Sequence, residues 1–233
     1  MAKNSIIWHI NKDVKEQNEA LAERISKDIL LQLKKKREVI LCVPGGNTPL
    51  GFLESLSHID LDWSRVKVLL NDDRCVPFTN SESNYSMLVK VLKKSFAENI
   101  QLVPLYLPSC TIEENIINFN NKISTVMPLD ICVLGMGADG HTASLFPETE
   151  NLSYALDVTN NPRLISATPK NKTPRVSLNL SALLSADHNY LLIRGKAKRE
   201  IAEKASKGEN IKWPISYFFS KTTANVYYTN NIE

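Results

Sequence analysis

This 233-residue chain lacks long apolar runs and grouped cysteines. No stretch approaches the ~20 consecutive apolar residues that cross a bilayer, so no membrane partner is expected. The opening Met1-Ala2-Lys3-Asn4-Ser5 has no apolar core of the signal-peptide kind. Four cysteines, at 42, 75, 110 and 132, stand apart without C-x-x-C spacing, which argues against a structural zinc. Cys42 and Cys132 lie inside apolar runs, where free cysteine acts as a small hydrophobe. The expectation is a reduced, cytoplasmic protein with no metal. The net charge of +3 is slight and gives no argument for nucleic acid. The basic run Lys34-Lys35-Lys36-Arg37 ends a helical pattern, as a solvated helix end does. Three catalytic or binding signatures are also missing. No Gly-Lys-[Ser/Thr] ending makes a P-loop, no first βα unit carries a dinucleotide fingerprint, and no Gly-x-Ser-x-Gly elbow frames Ser81 or Ser144.

Hydrophobic residues at 43% and charged residues at 23% suit a soluble globular core. No linker, repeat or low-complexity segment divides residues 1–233, which are expected to form one domain. Val14 to Lys36 carries Ala20, Leu21, Ile25, Ile29 and Leu33 at helical spacing. The helical patterns at Pro49–Leu56, Asn84–Phe96, Ile112–Ile123, Ser181–Ser185 and Lys198–Ala205 alternate with short strand-like runs. Those runs are Ser5–Ile10, Val39–Val43, Val66–Leu70, Asp130–Leu134, Leu164–Ala167, Val176–Leu180, Tyr190–Ile193 and Asn225–Tyr228. Strands apolar on both faces, alternating with helices, predict a three-layer, Rossmann-like α/β fold. Its sheet is largely parallel, with helices on both faces.

In such a fold the segments after the strands meet at one edge, where ligands bind. After Val43 comes Pro44-Gly45-Gly46-Asn47-Thr48-Pro49. This is either a turn whose free N–H groups bind an anion or sugar hydroxyls, or an ordinary strand–helix turn capped by Thr48. After Leu70 comes Asn71-Asp72-Asp73-Arg74. Arginine recognises anionic oxygens with its planar fork, although a surface ion pair would look the same. After Leu134 comes Gly135-Met136-Gly137-Ala138-Asp139-Gly140-His141-Thr142-Ala143-Ser144, which holds three of the eight glycines. Histidine exchanges protons near neutral pH, and this turn has no folding need of one. Asp139 is suited to orient it. His9, His58 and His188 read as structural. Arg175 precedes a strand and Lys198 opens a helix; each alone reads as a solvated charge.

Together these motifs resemble the 6-phosphogluconolactonases of the glucosamine-6-phosphate isomerase/6-phosphogluconolactonase family. The resemblance rests on Gly45-Gly46-Asn47-Thr48-Pro49, Asp72-Asp73-Arg74 with Val76-Pro77, and Ser83-Asn84-Tyr85. It continues through Leu134 to Pro147, Arg175-Val176-Ser177-Leu178 and Gly195-Lys196-Ala197-Lys198. It runs in order from about residue 40 to 200. Asn47 stands where the family usually has Ser, Asp73 where it has Glu, and Asn71 where an aromatic or small residue is common. The related deaminases carry Tyr at the position of Arg74. They also carry Asn-Glu-Pro where this chain has Leu145-Phe146-Pro147, and a phenylalanine cannot move a proton.

The resemblance implies hydrolysis of a sugar-phosphate lactone without a cofactor. His141 would serve as general base, helped by Arg74, Asp139 and Asp72. Gly45, Gly46, Asn47, Thr48, Arg175 and Lys198 would bind substrate. The partner implied is a small sugar phosphate, with the chain a monomer or weak homodimer. The alternatives are a deaminase-like isomerase and a non-catalytic sugar-phosphate-binding module. A regulator of that kind needs a DNA-binding segment, and the first strand begins by about residue 5, which leaves no room before it.

Overall fold

The run Val-Ile-Leu-Cys-Val has no polar face to offer water, and it forms a central strand covered on both sides. The structure, a computed structural model, describes residues 5–159, 163–170 and 172–232. In chain order the elements begin with β1 (Ile6–Ile10), α1 (Val14–Leu33), β2 (Val39–Val43), α2 (Leu50–Ser57), β3 (Val66–Leu70) and β4 (Asp72–Arg74). There follow α3 (Asn84–Leu92), β5 (Gln101–Val103), α4 (Ile112–Asn121), β6 (Ile131–Gly135), α5 (Leu152–Leu156) and β7 (Leu164–Ala167). The chain closes with β8 (Arg175–Leu178), α6 (Leu180–Leu183), β9 (His188–Arg194), α7 (Lys196–Ala205), α8 (Ile215–Phe219) and β10 (Ala224–Thr229).

Seven strands form one parallel sheet in the order β1-β10-β9-β6-β2-β3-β5. With this strand order, crossovers of the usual right hand place α1 to α3 on one face and the later helices on the other. The contacts agree: α1 touches α2 and α2 touches α3, while α5 touches α6 and α7 touches α8. From β2 the chain winds outward to β5. It then returns to lay β6 beside β2 and winds the other way. The boundary between β2 and β6 is therefore the switch point, where a crevice opens beyond the strand ends. Leu41, Val43, Ile131, Val133, Leu191 and Ile193 are fully buried along these strands. Each contributes roughly 1.5–3 kcal/mol by leaving water.

The layered parallel sheet matches the sequence expectation, but three features differ from it. Asp72–Arg74 is not a loop. It is a strand of a second, antiparallel sheet ordered β4-β8-β7, and Leu164–Ala167 belongs there as well. The helices at 14–36 and 84–96 are shorter than their periodicity predicts. Arg65 stops α1 at Leu33: its Nη2 donates to the Leu33 and Lys36 carbonyls at 3.0 and 2.9 Å, as basic side chains do at helix ends. α3 ends at Leu92, and Ser95 beyond it takes a positive φ of 53°. Finally, β5 and α8 had no sequence signal. Among the described residues, no helix is long and apolar enough to cross a membrane.

Candidate active site

At the switch point a cleft of about 270 Å³ lies between the ends of β2, β3, β6 and β9 and the edge of the small sheet. Gly45, Gly46, Asn47 and Thr48 line it from the first turn, Asp72 and Arg74 from β4, and His141 from the third turn. Arg175 from β8 and Lys198 from α7 line it as well. Asp139 does not; it stands behind His141.

The first turn follows from close packing. A Cβ on Gly45 would fall 2.2 Å from the Asn84 carboxamide, and Gly46 takes a φ of +83°. Asn84 Oδ1 accepts the Gly46 N–H at 3.3 Å and so holds the turn to the start of α3. Thr48 does not cap α2. The helix begins after Pro49, which occupies the cap position without any side-chain hydrogen bond. The capping alternative is thus removed, and Thr48 belongs to the cleft wall.

The two acids of the second cluster diverge. Asp73 turns away from the cleft and accepts the backbone N–H groups of Arg74, Asn84 and Tyr85 at 2.8, 2.8 and 3.1 Å. Burial nevertheless pushes its carboxyl up to about 6, against those hydrogen bonds. Asp73 is therefore an anchor for the start of α3. Asp72 faces the cleft. Its Oδ2 accepts from the Ser144 hydroxyl at 2.5 Å and lies 3.8 Å from Arg175 Nη1. Arg74 Nη1 donates to the Glu82 carbonyl at 2.6 Å.

The third turn is closed by main-chain bonds. Gly137 N–H donates to the His141 carbonyl at 2.9 Å, and Ile215 N–H donates to the Gly140 carbonyl at 3.0 Å. A Cβ on Gly137 would sit 2.2 Å from the His141 ring. Asp139 Oδ1 lies 2.5 Å from His141 Nδ1 and also accepts the His141 N–H at 3.1 Å. Hydrogen bonding to His141 holds the Asp139 carboxyl down at about 2. A carboxylate at Nδ1 calls for a proton there, which assigns the tautomer with Nε2 as the basic nitrogen. Phe146 packs beneath, its ring centroid 4.3 Å from that of His141.

The cleft carries more cations than acids. Burial pulls Arg175 below its ordinary value, with the charge of Arg74 acting the same way and Asp72 opposing. Burial also lowers Lys198, helped by Arg194 and opposed by Asp139. The buried Nε groups of Arg74 and Arg175 have no hydrogen-bond partner among the described residues. Unpaired buried donors beside three cations suit an anionic ligand.

Two cleft asparagines had no role assigned from sequence. Asn84 was visible only as part of Ser83-Asn84-Tyr85, and its grip on the first turn needs the fold. Asn71 is 1% exposed; its Nδ2 donates to the Val133 carbonyl at 3.2 Å. Its main chain joins the two sheets, donating to Val43 and accepting from Leu178. The other histidines lie outside the cleft. His9 pairs with Asn225, His58 Nδ1 lies 2.8 Å from the Glu54 carbonyl, and His188 lies near Asp28.

Residues 12–228 match the family described as glucosamine-6-phosphate isomerases/6-phosphogluconolactonase. The chain is 31% identical over 226 residues to a 6-phosphogluconolactonase of Neisseria meningitidis serogroup A, covering 95% of this chain and 97% of that one. It is 36% identical over 210 residues to a 6-phosphogluconolactonase of Rhizobium meliloti, covering 89% and 90%. A crystal structure of a 6-phosphogluconolactonase from Shewanella baltica has the same fold, with a TM-score of 0.91 at 27% identity over 97% of this chain and 98% of that one.

Proposed function

The chain belongs to the glucosamine-6-phosphate isomerase/6-phosphogluconolactonase family, and on that premise we propose that it hydrolyses 6-phospho-D-glucono-1,5-lactone to 6-phosphogluconate. On this reading the reaction is the second step of the oxidative pentose phosphate pathway. The observation that carries it is the His141–Asp139 pair at the wall of a cationic cleft. Nδ1 is engaged by the carboxylate, and Nε2 has no partner among the described residues.

His141 Nε2 takes a proton from water as the water oxygen attacks C1 of the lactone. The C1 carbonyl becomes an oxyanion. Arg74, with N–H groups of the first turn, stabilises that charge. The oxyanion then collapses, the bond from C1 to the ring oxygen breaks, and the imidazolium returns its proton to the leaving oxygen. The carboxylic acid formed loses its proton to solvent. General base and general acid are one residue, a role worth about 10²–10⁴-fold in rate. Asp139 orients the ring and stabilises the imidazolium. Asp72, held by Ser144 and Arg175, is set to accept a sugar hydroxyl or to orient Arg175. Arg175 and Lys198 take the phosphate, which adds rate only by positioning C1 against His141.

The related deaminase chemistry has less support, because Phe146 stands where those enzymes carry a glutamate. The test follows lactone loss against the uncatalysed background, with the phosphate-free lactone as control and ammonia release from glucosamine 6-phosphate as the rival readout. His141→Ala is expected to bind 6-phosphogluconate and to lose turnover by at least a hundredfold. Turnover close to wild type in that variant would remove the general-base assignment.

A further inference from the structure

Phe146 is 1% exposed, and its ring meets three nitrogen groups from three segments. The His141 imidazole lies against it at 4.3 Å between centroids, with the planes 40° apart. The Arg175 guanidinium lies 5.1 Å from the ring centre and the Lys172 ammonium 4.9 Å. A phenyl face carries negative charge density and attracts cations within about 6 Å. Asp139 pairs with His141 on its own turn, Asp72 and Arg74 on β4, Arg175 on β8 and Lys198 on α7 line the same cleft, and Lys172 in the loop before β8 meets the same phenyl ring. Asp139 and Asp72 favour an imidazolium, and the cations oppose it. The ring shared with Arg175 and Lys172 is an uncharged group that favours it.

We propose that Phe146 is a positioning residue for catalysis: its ring fixes the His141 imidazole at the cleft wall and stabilises the imidazolium formed when water is deprotonated. The proposal rests on the lactonase reading for its kinetic consequence but not for its electrostatic one. Without an aromatic face, protonated His141 would share the cleft with Arg74, Arg175 and Lys198 and have only Asp139 and Asp72 as acids to balance them. Removing the face should therefore lower the affinity of His141 for a proton. The pH at which His141 becomes neutral moves down, and the base weakens.

The test uses two variants of the full chain. Phe146→Leu removes the ring. Pentafluorophenylalanine incorporated at position 146 keeps the shape and reverses the ring quadrupole, and it decides the matter where Phe146→Leu does not fold. The first readout is the His141 imidazole titrated by NMR, which needs no activity. Both variants should titrate several tenths to one unit lower than wild type, the size expected of a contact of this kind. The second readout is lactone turnover. kcat should fall roughly threefold to thirtyfold with KM within twofold, and the acid limb of kcat/KM should move to lower pH by the same amount as the NMR midpoint. An unmoved His141 midpoint in the fluorinated variant overturns the proposal, even if kcat falls, because packing alone would then explain the loss. A moved midpoint in the variants, with no lactone turnover in the wild-type chain either, upholds the electrostatic role and overturns the lactonase reading instead.

Discussion

Replacing Asp139 by Asn tests the central pair most directly. The carboxylate contacts His141 twice, at Nδ1 and at the backbone N–H. Its carboxyl is held near 2, against an ordinary 3.8. In a dry site a carboxyl lowered that far would be worth roughly sixtyfold in imidazolium stability. The side chain is 44% exposed, however, and water screens such a pair. About 1 kcal/mol is a better figure, or roughly fivefold. Tautomer control adds to this. An amide that presents its NH2 to Nδ1 leaves the proton on Nε2, and that form cannot act as base. The combined expectation is a kcat lowered tenfold to a hundredfold, with KM for the phosphorylated lactone within about twofold. The acid limb of the rate profile should move to lower pH. The sign for stability is also defined. A depressed carboxyl contributes stability that is full above the unfolded value of 3.8 and is lost as pH falls through about 2. The variant should lack that acid-labile part in melting scans between pH 4 and 2. A kcat within twofold of wild type, measured as lactone loss over background, would refute the pairing argument.

Arg175→Met removes a buried guanidinium whose Nε has no partner among the described residues. KM for the phosphorylated lactone should rise roughly thirtyfold, about 2 kcal/mol for a charged hydrogen bond, and far more than for the phosphate-free lactone; equal losses on both would move the phosphate elsewhere. Asp73→Asn tests the anchor of α3. With the carboxyl raised from 3.8 to about 6, its contribution is fully present below pH 3.8 and is lost as pH rises through 6. Calorimetry of the Asn variant should therefore show a flatter melting temperature across pH 4–6 than wild type, and identical slopes would remove that titration from Asp73.

The glycine-rich turns and the histidine were legible in the sequence because each follows an apolar run. Parallel strands carry whatever follows them to the same edge. Gly45–Thr48, Asp72, Arg74 and His141 therefore reached one cleft as the alternation predicted. The second sheet was not legible. Asp72–Arg74 is three polar residues long, and its partners Arg175–Ser177 lie about a hundred residues away. No local periodicity encodes a pairing of that range. Asn84 was likewise hidden, because its contact with Gly46 joins two turns that only the fold brings together.

The sequence by itself determined the layered parallel sheet and the residues delivered to its crevice. Buried strands must be apolar, amphipathic helices must cover them, and glycine must stand where a side chain would collide. The tertiary structure alone decided which of the adjacent acids faces the cleft. Asp73 turns inward to the bare N–H groups at the start of α3, and Asp72 turns outward to Ser144 and Arg175. It also decided that Phe146 lies beneath both His141 and Arg175. Both outcomes depend on hydrogen bonds and ring contacts between distant segments. Their free energy exists only once the chain has closed around them.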